Sequence, residues 1–239
     1  MSTRGRIWEV DAVRGFLILC VIVSHTLFYS SIMLDLFTIP PAVRYVMAYG
    51  GALFVILSGL SSTLGTHSFR RGVIVFAGGM ILTLGSYIGV LMGWLEEDMI
   101  IRFGVLHLLG ICMMLAPLLK KLPSWALLVL GAALVVVGYW LEGQPPLVNT
   151  RYLFPLGLRD PNFSSGDYFP LAPHLGWFCL GIVLGRLLYH EKKTRFPKVP
   201  QTNPAVRFFC FCGRNSLYIF IIHLPIVGAI MFLIAAIPS

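Results

Sequence analysis

A chain of 239 residues with 57% apolar and only 12% charged residues has a mean hydropathy of +0.84. Those values exclude an ordinary soluble domain and point to a protein that crosses a membrane several times. The net charge of +8 does not indicate nucleic acid, because the basic residues form no groove with interleaved aromatics and sit where membrane-flanking charges sit.

Windows of about 20 apolar residues predict seven spans, near 12–34, 44–65, 72–95, 101–119, 124–142, 172–190 and 208–237. The fold class is therefore all-α and polytopic, a bundle of about seven transmembrane helices forming one domain over 1–239. The first span is too long and too well flanked for a cleaved signal segment and is expected to remain as an anchor. Arg4, Arg6, Arg14, Arg70, Arg71, Lys120, Lys121, Arg186, the basic loop 191–207 and Arg214 fall on one side, against Arg44, Arg102, Arg151 and Arg159 on the other. The basic side is cytoplasmic, which places the N-terminus inside and the C-terminus outside.

The first span carries the most informative pattern. Ionisable groups inside a membrane helix face a bundle interior or a watery cavity and mark functional paths. Arg14 and His25 are eleven residues apart, so on a helix they lie within about 20° of one face and roughly 16 Å apart along it. Asp11 is one turn before Arg14 and can pair with it. The second span holds Gly50-Gly51 and Ser58-Gly59, which permit close helix approach. The ladders Gly85-x3-Gly89-x3-Gly93 and Gly181-x3-Gly185 predict packing seams within the chain, with a homodimer seam as the other use.

The fourth span is read as beginning at Ile101, with Arg102 snorkelling to the headgroups. His107 lies deeper and about 140° away in azimuth. Residues 143–171 form the long external loop, where Arg151, Tyr152, Arg159, Asp160, Asp167 and Tyr168 suit a polar acceptor. His174 follows at the outer start of the sixth span. The 191–207 loop is a topology determinant that touches anionic lipid, or else a landing surface for a phosphorylated cofactor. In the last span, Ser216 and His223 are nearly aligned, and Pro225 leaves the Ile221 carbonyl without its helical donor, which His223 can serve.

The five cysteines lie in or beside apolar segments, so no disulfide framework is expected. Cys210-x-Cys212 lacks the spacing and second pair that zinc requires, and no metal is implied. Phosphate-loop, dinucleotide and zinc-protease signatures are absent. What remains is intramembrane histidines (His25, His107, His223) with arginines at both faces. Histidine suits general acid–base work at neutral pH. A basic cytoplasmic mouth below His25 suits an anionic donor such as acyl-coenzyme A, whose narrow arm would span the Arg14–His25 distance. A transporter or proton-coupled carrier could use the same histidines, and a non-catalytic scaffold is a further alternative.

The order and spacing of several short motifs carry a resemblance. Arg6-Ile-x-Glu-x-Asp11-x-x-Arg14-Gly15 leads to His25. Leu57-Ser58-Gly59, Ile101-Arg102-x-Gly104-x-Leu-His107 and Gly213-Arg-Asn-Ser-Leu-x-Ile-x-x-x-His223-x-Pro225 follow. Over nearly its whole length the chain resembles bacterial members of the heparan-alpha-glucosaminide N-acetyltransferase catalytic-domain family, within a wider group of transmembrane acyltransferases. The resemblance implies transfer of an acyl group, typically acetyl, from cytoplasmic acyl-coenzyme A to an amine or hydroxyl of a sugar or glycan beyond a bacterial cytoplasmic (inner) membrane. It casts His25 as the leading catalytic residue, and Arg14, Arg102 and Arg214-Asn215 as site formers.

The combined expectation is His25, His107 and His223 in catalysis. Arg14, Asp11, Arg70, Arg71, Arg207, Arg214, Asn215 and Ser216 would hold the donor, and Arg102, His174, Ser58 and Tyr152 the acceptor. The longer animal relatives carry Asn at the position matching His25, so direct attack with His25 as general base is preferred here over an acyl-histidine.

Overall fold

A backbone in lipid must satisfy its N–H and C=O groups internally, and a chain this apolar does so as helices. The computed structural model describes residues 7–33, 37–147 and 152–235. Among these are eight α-helices: α1 (Trp8–Met33), α2 (Pro41–Leu64), α3 (Ser68–Leu91), α4 (Val105–Leu119), α5 (Ser124–Glu142), α6 (Leu171–Leu188), α7 (Pro204–Arg214) and α8 (Ser216–Ala235). Arg4, Arg6 and Arg151 lie outside the described residues.

Five helices (α1, α2, α3, α5 and α6) are long and apolar enough to cross a membrane, and α7 with α8 makes a sixth if the bent pair is one span. The remaining apolar helix, α4, has 15 residues, or about 22 Å, against a hydrocarbon core of roughly 30 Å. The fold is all-α and polytopic.

Two expectations are corrected. The last span is not one helix over 208–237. It is α7 and α8, which meet at a bend of 79°. Asn215 makes the break: its backbone N–H and its Nδ2 both donate to the Phe211 carbonyl, at 3.1 and 2.9 Å, and its own carbonyl accepts from Ile219. One residue thus closes α7 and opens α8, as Gly-x-Asn-Ser composition allows. The fourth span does not begin at Ile101 either. Helix α4 starts at Val105, so Arg102 lies on the extended approach and the helical azimuth between it and His107 has no meaning.

The chain forms two compact units, one of Met1–Phe54 with Lys192–Ser239 and the other of Val55–Glu191. In the first, α1 packs chiefly against α7 and then against α8. The α1–α7 contact is backbone on backbone. A Cβ on Gly15 would strike the Phe209 carbonyl, and one on Gly213 would strike the Asp11 carbonyl. Small residues at such crossings let helices approach without a hydrophobic driving force. The start of α1 is also clasped by the basic loop. The buried Glu9 carboxylate accepts from Arg195 N–H at 2.7 Å and Thr194 Oγ1 at 2.9 Å, and Trp8 meets Phe196 edge-on.

In the second unit α3 pairs with α4 and α5 with α6. Gly72 and Gly110 face each other's helices, and Gly59 and Gly181 do the same between α2 and α6. The Gly181-x3-Gly185 ladder is thus a seam within the chain. The Gly85-x3-Gly89-x3-Gly93 ladder is not: Gly85 faces open space, Gly89 meets only the Leu95 side chain, and Gly93 lies beyond α3 in a turn with φ of +72°, a conformation glycine adopts without strain. Basic residues staple helix ends. Lys120 Nζ donates to the Ser62 carbonyl at 2.9 Å, and the Arg186 guanidinium spans the Lys120 and Leu122 carbonyls, both at 2.9 Å. Cations satisfy the orphan carbonyls of C-terminal turns in this way.

Candidate active site

In the first unit, α1 is unbroken from Trp8 to Met33, so the eleven-residue spacing holds as helical geometry. Arg14 and His25 lie about 16 Å apart on nearly one face, both half-buried. Arg14 precedes Gly15 and Arg214 follows Gly213, so each arginine adjoins one glycine of the α1–α7 crossing. Arg214, Asn215 and Ser216 all occupy the bend. Arg214 Nε donates to the Cys210 carbonyl at 3.0 Å. Arg207 is exposed in the first turn of α7. Asp11 lies in the first turn of α1, and its carbonyl is the one that faces Gly213.

His25 meets His223 of α8. His25 Nδ1 and His223 Nε2 are 2.8 Å apart. The ring centroids are 5.0 Å apart with planes 17° from parallel, a separation that fits two rings joined edge to edge along that bond. Phe220 presents an edge-to-face contact to both rings. His223 is 5% exposed, and its Nδ1 lies 2.7 Å from the Phe220 carbonyl and 3.3 Å from that of Ile219. This corrects the expected partner of His223: it serves carbonyls three and four residues behind it, not the Ile221 carbonyl freed by Pro225. An imidazole reaches back toward the preceding turn, and Ile221 is only two residues away.

The second unit holds the other histidines. His107 sits in the first turn of α4, its Nδ1 3.2 Å from the Gly104 N–H and its Nε2 3.3 Å from Thr83 Oγ1. Thr83 Oγ1 gives its own proton to the Ile101 carbonyl at 2.6 Å. His107 therefore accepts at Nδ1 and donates at Nε2, and both nitrogens serve the α3–α4 contact. Gly79 makes room for its ring. His174 Nδ1 donates to the Pro170 carbonyl at 2.9 Å, with Phe169 beside the ring.

The loop before α6 is zipped onto the approach to α4. Gly166 and Phe169 N–H donate to the carbonyls of Ile100 and Phe103 at 3.2 and 2.9 Å. Arg102 Nε donates to the Ser164 carbonyl at 2.9 Å, and its N–H to Ser165 Oγ at 3.1 Å. Asp167 Oδ2 accepts from the Val105 N–H at 2.9 Å, which stabilises a helix N-terminus. Burial pushes the Asp167 carboxyl up to about 6, offset in part by that N–H. Burial likewise raises Tyr168 to about 12, and its hydroxyl donates to the Phe154 carbonyl at 2.7 Å. Tyr152 is 82% exposed. Ser58 lies half-buried beside Gly59, and Arg70 and Arg71 are exposed in the first turn of α3.

The structure thus brings His25 and His223 together, and Arg14 and Arg214 to one helix crossing. Arg70, Arg71, His107, Arg102, His174, Ser58 and Tyr152 belong to the other unit. Sequence reasoning gave no role to Glu9, Thr83 or the Phe220 carbonyl. A carboxylate in the first turn of α1 was visible in the sequence, whereas nothing local pairs Thr83 with His107.

No curated protein and no solved structure matches the chain. Residues 6–225 match the family described as heparan-alpha-glucosaminide N-acetyltransferase, catalytic. That match runs from just before α1 to Pro225 of α8 and takes in the Arg14, His25, His107, Arg214 and His223 motifs. This chain is an integral membrane member of the heparan-alpha-glucosaminide N-acetyltransferase catalytic family.

Proposed function

We propose that the protein moves an acetyl or other acyl group from cytoplasmic acyl-coenzyme A to an amine or hydroxyl of an extracytoplasmic sugar or glycan, with His25 as general base. Family membership supports the reaction class. The observation that carries the choice of base is the His25–His223 pair, an imidazole on the Arg14 face of α1 that is hydrogen-bonded at one nitrogen only among the described residues.

In this reading Arg14, with Arg214 and Arg207, attracts the donor phosphates, and Asp11, Asn215 and Ser216 shape the crossing and the bend. His25 removes the proton as the acceptor nitrogen or oxygen attacks the thioester carbonyl. The new C–N or C–O bond forms, the C–S bond breaks, and the leaving thiolate takes the proton back from His25 as coenzyme A. A positioned base contributes about 10²–10⁴-fold. His107, with both nitrogens engaged, holds the start of α4 instead of touching substrate.

The test is coenzyme A release by the purified protein in lipid nanodiscs, given acetyl-coenzyme A and a panel of amino sugars and neutral sugars. Acceptor-dependent release that disappears in His25→Ala, while coenzyme A still stabilises the variant thermally, is the expected result. Substrate-coupled proton flux without thioester consumption would instead favour a transporter.

A further inference from the structure

The two imidazoles are not equivalent, and their hydrogen bonds decide where the protons sit. A backbone carbonyl can only accept. At 2.7 Å from the Phe220 carbonyl, with Ile219 as a second acceptor at 3.3 Å, His223 Nδ1 must carry a proton. A neutral imidazole has one N–H, so His223 Nε2 is then a lone pair. Its partner at 2.8 Å is His25 Nδ1, which must therefore be the donor. That leaves the lone pair of neutral His25 on Nε2, the ring nitrogen turned away from His223. With His223 5% exposed, water is poorly placed to compete for these bonds.

We infer that His223 is a positioning residue. The chain Phe220 carbonyl–His223–His25 locks His25 in its Nδ1–H tautomer and dedicates His25 Nε2 to taking the acceptor's proton.

The inference rests on the acyltransferase reading for its purpose, but its hydrogen-bond chain stands or falls separately. When His25 Nε2 gains a proton, the imidazolium keeps its Nδ1–H bond to His223, and a charged donor makes that bond stronger. His223 thus steadies the ring in both protonation states, as the third group does in other nucleophile–base arrangements. The buried α8 backbone supplies an acceptor that needs no ionised carboxylate inside the membrane, where such a group is costly.

The experiment uses ¹⁵N-histidine-labelled full-length protein in lipid bilayers. Solid-state NMR reads the two ring nitrogens of each histidine, and His25→Gln and His223→Gln assign the signals. Protonated Nδ1 with unprotonated Nε2 on both His25 and His223 is the expected result. A His25 protonated at Nε2 in the wild-type protein would overturn the inference.

In parallel, His223→Leu should lower kcat about 100-fold with little change in KM, and its His25 signal should become a mixture of tautomers. In His223→Gln an amide oxygen can accept from His25 Nδ1–H, so kcat should return to within about tenfold of wild type. If His223→Leu fails to fold, the glutamine variant and the wild-type spectrum still decide. Lost turnover with the His25 tautomer unchanged would reduce His223 to packing and overturn the inference. Locked tautomers without any coenzyme A release would support the hydrogen-bond chain and sink the acyltransferase reading alone.

Discussion

His107 and His25 are both imidazoles on apolar helices, α4 and α1, yet their surroundings differ in kind. His107 receives the Gly104 N–H and gives its proton to Thr83, so it behaves as a structural cross-link that starts α4 and ties it to α3. His25 is bonded through Nδ1 to a histidine that is itself anchored on backbone. One ring has both nitrogens bonded within the fold, whereas among the described residues the other has a bond at one nitrogen only. The lesson is that a polar residue in a membrane helix marks function only after its hydrogen bonds have been counted.

Four substitutions break or sharpen that contrast. The largest effect belongs to His25→Ala, which should cut turnover by about 10²–10⁴-fold in a coenzyme A release assay. Next comes Gly213→Val in the same unit. Its side chain would be driven into the Asp11 carbonyl across the α1–α7 crossing, and the expected loss is about 1–3 kcal/mol or more, read as a fall in melting temperature together with activity. His107→Leu should cost about 1–3 kcal/mol by stranding the Gly104 N–H, with kcat per folded molecule unchanged.

The smallest effect concerns Asp167. Its folded pKa of about 6 lies above the ordinary aspartate value of 3.8, so between those values the folded state binds more protons than the unfolded one. Stability should therefore decrease as pH rises from about 4 to 6 and level off above. Asp167→Asn, which keeps an acceptor for Val105, should flatten that part of the melting-temperature profile.

The helices are legible in the sequence because apolar length is a strong signal, and the apolar window at 124–142 coincides with α5. The bend at Asn215 was not read, although Gly213, Asn215 and Ser216 together weaken a helix locally. Arg14 and His25 were legible as one face because a single helix fixes their relation. The His25–His223 bond joins residues nearly the whole chain apart, and helical periodicity says nothing about which faces meet. The same limit hid Thr83 from His107. The polar residues of the 143–171 loop suit an acceptor site when read from sequence alone. Ser164, Ser165 and Asp167 of the loop instead spend bonds on Arg102 and Val105, joining the loop to the start of α4.

The most direct test compares acetyl transfer from acetyl-coenzyme A by wild type, His25→Ala and His107→Leu, each normalised to folded protein. The account predicts acceptor-dependent transfer by wild type and His107→Leu, and none above background by His25→Ala. Transfer by His25→Ala at the wild-type rate, or its loss in His107→Leu alone, would contradict it.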